Sequence, residues 1–143
     1  MMALELAKPK RMSVTDIIEK DIKTNNHDIT LEQGMAIFKM YLDEGVPIIR
    51  VRNTLFIIEE DTGEDVYYHT VNADPIKSFL TNCLTFFSLM RKQNKEVAIS
   101  YFDGPKMLKI LNKHKLPNED IEKSDDPKKG EYMVITYLQE ESK

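Results

Sequence analysis

The stretch Asp65-Val-Tyr-Tyr-His-Thr-Val-Asn72, followed at once by Ala73-Asp74-Pro75-Ile76-Lys77, reads as a strand that feeds directly into a helix. Free backbone N–H groups at such a junction make a ready phosphate site. Close approach of a pyrophosphate normally needs glycine there, and Asn72, Ala73, Asp74 and Pro75 hold the positions instead. Proline has no N–H to offer, and the Asp74 carboxylate is expected to cap the electropositive helix end itself. A turn with the right architecture thus carries the wrong chemistry for cradling a nucleotide.

Outward from this junction, Ile76, Phe79, Leu80, Cys83, Leu84, Phe87 and Met90 recur at helical spacing and predict the main amphipathic helix over 74–92. Glu96 to Phe102 is expected to be the most buried strand, because Val97, Ala98 and Ile99 form an unbroken apolar run. Pro105 opens a helix carrying Met107, Leu108, Leu111 and His114. The polar stretch from Asn118 to Glu131 holds a short strand near Ile121 and a long loop, and Tyr132 to Leu138 is the last strand. Residues 139–143 are a charged tail.

On the N-terminal side, Asp61-Thr-Gly-Glu64 is a hairpin turn preceded by strands over Val46–Arg52 and Thr54–Glu59, joined at Asn53. Before them, Ser13 and Asp16 mark the start of a short helix with Val14, Ile17, Ile18 and Ile22 as its apolar stripe. Asn25-Asn26-His27-Asp28 is turn chemistry. Thr30 and Gln33 form a capping box ahead of a second helix whose inner face is Leu31, Met35, Phe38, Tyr41 and Leu42, ending at Gly45. Residues 1–12 show no periodicity and are expected to be an extended arm outside a domain spanning 13–138.

The chain has 143 residues, 41% of them apolar and 31% charged, which suits one soluble domain. No apolar run approaches the ~20 residues of a membrane span. The chain opens on no charged-then-apolar leader, so a cytoplasmic location in the producing cell is expected. A net charge of −4 makes nucleic acid an unfavoured partner. The single cysteine, Cys83, rules out an internal disulfide and reads as a small core residue. His27, His69 and His114 lack the close spacing of a metal site, and the acidic 119–131 stretch lacks the regular ligand spacing of a calcium loop, so no metal is expected.

Two helices, a meander, a long helix, a strand, a helix and a closing hairpin is an order similar to that of the GNAT N-acetyltransferase superfamily. Asn94-Lys-Glu-Val-Ala-Ile-Ser-Tyr-Phe102 followed by Met107-Leu-Lys-Ile-Leu-Asn-Lys-His-Lys-Leu116 resembles that family's fifth strand and next helix, and Glu131-Tyr-Met-Val-Ile-Thr-Tyr-Leu138 resembles its closing strand. The resemblance implies an α+β fold, a GNAT-like mixed sheet of about six strands flanked by four helices. Its departures matter as much. The family's glycine-rich pyrophosphate turn for acetyl-CoA falls near Val71–Ser78, where Asp74 would repel phosphate at a cost of about 1 kcal/mol or more, beyond ~1 kcal/mol for each lost N–H bond. The tyrosine that protonates the departing thiolate aligns with Leu111, and the family's glycine and phenylalanine align with Lys115 and Leu116.

The resemblance therefore implies a degenerate member without cofactor, a structural or protein-binding component of a larger assembly such as a bacteriophage virion. Partner contacts are expected from the arm, through Met1, Met2, Leu4, Leu6, Lys8, Lys10, Arg11 and Met12. The partners would be other protein subunits in a homo- or hetero-oligomer. The alternative is an N-acetyltransferase with an atypical turn, using His69, Glu59 and Tyr67 on strands where family members place substrate-facing groups. A small regulator that binds a host enzyme is the third reading.

Overall fold

Two hydroxyls begin the fold. Ser13 Oγ accepts the Asp16 backbone N–H at 3.1 Å and starts helix α1 (Val14–Thr24). Thr30 Oγ1 accepts the Gln33 N–H at 3.1 Å while Gln33 Oε1 accepts the Thr30 N–H at 2.9 Å, a reciprocal cap that starts α2 (Leu31–Asp43). The chain leaves α2 through Gly45, whose φ of +74° favours glycine. α1 and α2 approach closely at the buried Gly34, where a Cβ would lie 3.0 Å from Ile18 and Ile22 side-chain atoms. Leu42, expected on the inner face of α2, is 55% exposed. It lies about two turns beyond the Gly34 contact and rotated by roughly 80° from it, off the face that meets α1.

The computed structural model describes residues 11–25 and 28–139. After α2 come β1 (Ile48–Val51), β2 (Thr54–Asp61), β3 (Asp65–Asn72), α3 (Ile76–Lys92), β4 (Val97–Phe102), α4 (Pro105–Lys113), β5 (Glu119–Lys123) and β6 (Tyr132–Tyr137). The strands form one mixed sheet in the order β1-β2-β3-β4-β6-β5. All neighbours are antiparallel except β3 and β4, which run parallel across the α3 crossover. Six strands and four helices among the described residues match the architecture expected from the sequence. No strand precedes α1 among those residues.

One face of the sheet packs on α3. Phe56, Ile58, Val66 and Tyr68 meet Phe86, Phe87 and Met90, with the Phe56 and Phe86 rings stacked at 4.4 Å. The inward residues of α3 are Asn82, Phe86, Phe87 and Met90, so its buried stripe is rotated from the expected one, and Leu84 and Ile76 are exposed. Cys83 is half-buried against this core, and burial pushes its thiol up to about 12, as fits a packing residue. The opposite face gathers Ile17, Leu55 and Ala73 with Phe38, Ile48 and Val71 under α1 and α2. Met12, expected in the arm outside the domain, packs here too and is half-buried; residues 1–10 lie outside the described residues.

The most buried strand is β2, not β4: Thr54 to Ile58 are all buried, whereas β4 buries only Ala98 completely. β2 has helices over both faces, while β4 borders an opening described below. An apolar run reports composition, and a strand's position in the sheet decides its burial.

The loop between β5 and β6 is pinned at its base. Glu131 N donates to Asp103 Oδ1 at 2.9 Å, Gly104 N donates to Glu131 Oε1 at 3.1 Å, and Gly130 is buried against β4. A Cβ on Gly130 would lie 3.0 Å from both the backbone N and O of Phe102, atoms that cannot move aside. Gly130→Ala is therefore expected to cost about 1–3 kcal/mol through overpacking. Chemical denaturation of the variant beside Lys128→Ala, at an exposed neighbour, will read the difference.

Candidate functional site

The strand–helix junction after β3 is filled by the chain itself. Asp74 does not cap α3; the N-cap position is Pro75, which makes no side-chain capping bond. The Asp74 carboxylate turns inward instead. It accepts the Asn53 backbone N–H at 3.1 Å, Asn53 Nδ2 at 3.2 Å and Asn82 Nδ2 at 2.8 Å. The departure has a structural cause: the β1–β2 turn, in which Arg52 adopts a φ of +53°, brings Asn53 against the junction. A side chain that satisfies two other elements is worth more there than at its own helix end.

The remaining polar groups follow from that choice. Asn82 Nδ2 also reaches Thr54 Oγ1 at 2.9 Å, and its Oδ1 is buried without a hydrogen-bond partner. Thr54 Oγ1 donates to Asn72 Oδ1 at 2.7 Å, which also accepts the Asp74 N–H at 3.0 Å. Asn72 Nδ2 donates to the Asp74 carbonyl, and Asn72 N to Asp21 Oδ1 at 3.0 Å. Arg50 Nη2 binds Asn53 Oδ1 at 2.8 Å and the Met12 carbonyl at 2.7 Å, adding a cation beside the cluster. The Ala73 N–H goes to the Asn53 carbonyl at 2.9 Å. Of the three residues before α3, then, Ala73 and Asp74 have spent their N–H groups internally, and Pro75 has none. The pyrophosphate of acetyl-CoA, the group the fold implies, finds no free donor at these three positions and meets the Asp74 carboxylate beside them, so the turn does not fit it.

A second feature lies where β3 and β4 part. Their parallel pairing covers only Asp65, Val66 and Tyr67 against Val97, Ala98 and Ile99. Beyond it the strands diverge, and a cleft of about 420 Å³ opens, lined by Glu59, Glu60, Tyr67, Tyr68, His69, Tyr101 and Lys129. A bulge in β2 shapes its wall: Ile58 pairs with Tyr68 but Glu60 with Tyr67, so Glu59 is the extra residue. Glu59 Oε2 accepts Tyr41 Oη–H from α2 at 2.8 Å. Burial, reinforced by Glu59, pushes the Tyr41 phenol up to about 12. Tyr68 is raised well above its usual value by burial, and Tyr101 is raised by burial and by its 2.7 Å hydrogen bond to Asp125. These phenols are weaker acids than a free tyrosine.

The candidates named from the sequence separate accordingly. Glu59, Tyr67 and His69 do come together in the cleft, with His69 exposed and Tyr68 turned to the core, as alternation along β3 requires. Asn72, Ala73, Asp74 and Pro75 form the junction, away from that lining. His27 and the arm residues Met1, Met2, Leu4, Leu6, Lys8 and Lys10 lie outside the described residues. His114 is exposed at the end of α4, and no group of three His, Cys, Asp or Glu side chains that could hold a metal occurs among the described residues. No helix among them is long and apolar enough to cross a membrane. Asn53, Asn82, Tyr101 and Lys129 escaped the sequence reading, because each acquires its role only from a partner remote in the chain.

Comparison with known proteins places the fold. No family model and no curated protein matches the chain. Among solved structures it is similar to Ard1 from Thermoplasma volcanium, with a TM-score of 0.53 and 10% identity over 92% of this chain and 97% of that one. A protein described as a phosphinothricin N-acetyltransferase superposes with a TM-score of 0.47 and 12% identity over 92% and 98% of the two chains. At such identity the likeness is one of fold: the mixed sheet and its helices are GNAT-like.

Asp74→Ala strips the acceptor from three donors and is expected to destabilise the protein by about 1–3 kcal/mol, more than loss of an exposed cap. A double-mutant cycle with Asn82→Ala should show strong coupling, since the two share a bond. Tyr41 supplies a pH test. Its folded pKa lies above the unfolded value of 10.0, so its contribution is complete below pH 10 and is lost as pH rises toward about 12. Tyr41→Phe should remove the ionisation step near pH 12 from the tyrosinate absorbance titration and leave the steps of the other raised phenols, Tyr68 and Tyr101, in place.

Proposed function

We propose that the chain is a non-catalytic GNAT-like protein, a structural or protein-binding component of a larger assembly. The observation that carries the reading is the Asp74 carboxylate held by Asn53 and Asn82, where a cofactor pyrophosphate would need free N–H groups and no negative charge. The resemblance in element order extends the proposal to a bacteriophage virion as the assembly, located in the producing cell's cytoplasm before packaging. The N-terminal arm, with its apolar and cationic side chains, would be the contact to neighbouring subunits.

One observation favours a second reading, an N-acetyltransferase with an atypical cofactor turn: Glu59 and His69 both line the cleft at the open end of β3. The two readings part in a single calorimetric titration with acetyl-CoA. The wild-type protein is expected to bind no acetyl-CoA at micromolar concentrations, and saturable micromolar binding would overturn the non-catalytic reading. Asp74→Gly adds a control on cause, for a gain of coenzyme A affinity in that variant would identify the carboxylate as the block.

A further inference from the structure

The cleft contains a cation that belongs to the protein. Lys129 Nζ stands 5.3 Å from the centre of the Tyr67 ring and 5.5 Å from that of Tyr101. The two rings are within 9° of parallel with centroids 6.4 Å apart. A cation lodged between stacked rings would lie at about half that separation from each. Lys129 is farther from both, so the ammonium sits above the join of two tyrosines that lie side by side as one flat platform. Tyr67 is the last paired residue of β3, and Tyr101 follows its partner Ile99 by two positions along β4, so both side chains emerge on the same face where the pairing ends. Asp125 fixes the edge of the platform by accepting Tyr101 Oη–H at 2.7 Å.

Carboxylates surround it. Glu60, opposite Tyr67 across the ladder, faces the same side and lies 3.9 Å from Lys129 Nζ. Glu59 lines the same cleft. The lysine fits this setting loosely. Its side chain is 47% exposed, its ion pair sits at the limit of contact, and a compact ammonium gains little from a broad flat surface. A guanidinium suits it better: the planar group stacks on aromatic faces and offers paired N–H donors to a carboxylate at the platform's edge.

We propose that the Tyr67–Tyr101 platform with Glu60 is a recognition site for an arginine side chain of a protein partner, with Lys129 its resident competitor. The proposal rests on the protein-binding reading above and names the chemistry of what is bound. Binding requires the 124–131 loop to withdraw its lysine, while Gly130 and Glu131 keep the base of the loop anchored to β4 and Asp103. The site therefore accepts only a ligand whose guanidinium outcompetes a tethered ammonium, which sets a threshold against weakly charged surfaces.

The test uses the full chain and N-acetyl-arginine methylamide, which carries a guanidinium and no free amine. The citrulline analogue, of the same shape without charge, is the control. Tyrosine-ring NMR shifts report binding. Lys129→Ala, at an exposed position, is expected to bind the arginine probe about tenfold more tightly than wild type, with shifts at Tyr67 and Tyr101. Adding Tyr101→Ala or Glu60→Gln should reverse the gain. Equal affinity of wild type and Lys129→Ala, or equal binding of the arginine and citrulline probes, would overturn the proposal. Titrating the same variants with acetyl-CoA keeps the two questions apart: coenzyme binding would remove the protein-binding reading, whereas silence of the arginine probe alone would remove only this site.

Discussion

The Asp74 carboxylate is the point at which four parts of the chain meet. Through Asn53 it holds the β1–β2 turn and through Asn82 the middle of α3, while the Asp74 backbone N–H donates to Asn72 at the end of β3. Asn53 in turn accepts the Met12 N–H at 3.2 Å and ties in the entry to α1. Hydrogen bonds to a charged acceptor are worth about 1.5–3 kcal/mol each, and a buried polar cluster of this kind either is satisfied or is costly. Here the cost shows at one atom, the orphaned Asn82 Oδ1. The amide is oriented to serve the carboxylate and Thr54, and its oxygen is left over.

That cluster sets the chemistry of the strand–helix junction. Asp74 gives its carboxylate to Asn53 and Asn82 and its N–H to Asn72, and Ala73 gives its N–H to Asn53, so the groups around the turn are directed to one another. The backbone frame is independent of that choice: β3, α3 and β4 form a parallel crossover whatever side chains stand at the turn between them. A fold of this kind fixes where a site can be, and the residues at the turn fix what it can hold.

Much of the architecture was legible in the sequence because it is written locally. The Ser13 and Thr30 caps, the glycine stop at Gly45, the Asp61–Glu64 turn and the strand ending at Asn72 all depend on neighbours within a few residues. The phase of α3 is not legible in the same way, since Asn82 is polar and a hydrophobic pattern passes over it, although it is 1% exposed. Asp74 before a proline-led helix looked like a cap for the same reason: the competing partner, Asn53, is distant in sequence and near only after β2 and β3 pair. Of the cleft, Glu59, Tyr67 and His69 were visible as strand residues with reactive groups. Tyr101 and Lys129 were not, because a platform made by two strands and a loop has no local signature.

The short parallel contact between β3 and β4 divides the sheet into two antiparallel ladders, β1-β2-β3 and β4-β6-β5. β1, β2 and β3 follow one another through short turns, whereas β4 reaches β3 only across α3 and reaches β6 only across α4 and β5. Both of these closures span long stretches of chain, from Asp65 to Val97 in one case and from Val97 to Tyr137 in the other. They differ in width: six residue pairs join β4 to β6, and three join β3 to β4. The helix α3 spans the narrower seam, packing on β2 and β3 from one ladder and on Ala98 and Leu138 from the other. The gap that makes room for the cleft therefore leaves the two ladders joined by three backbone pairs and by the side chains under α3, so the seam is held by packing more than by its ladder.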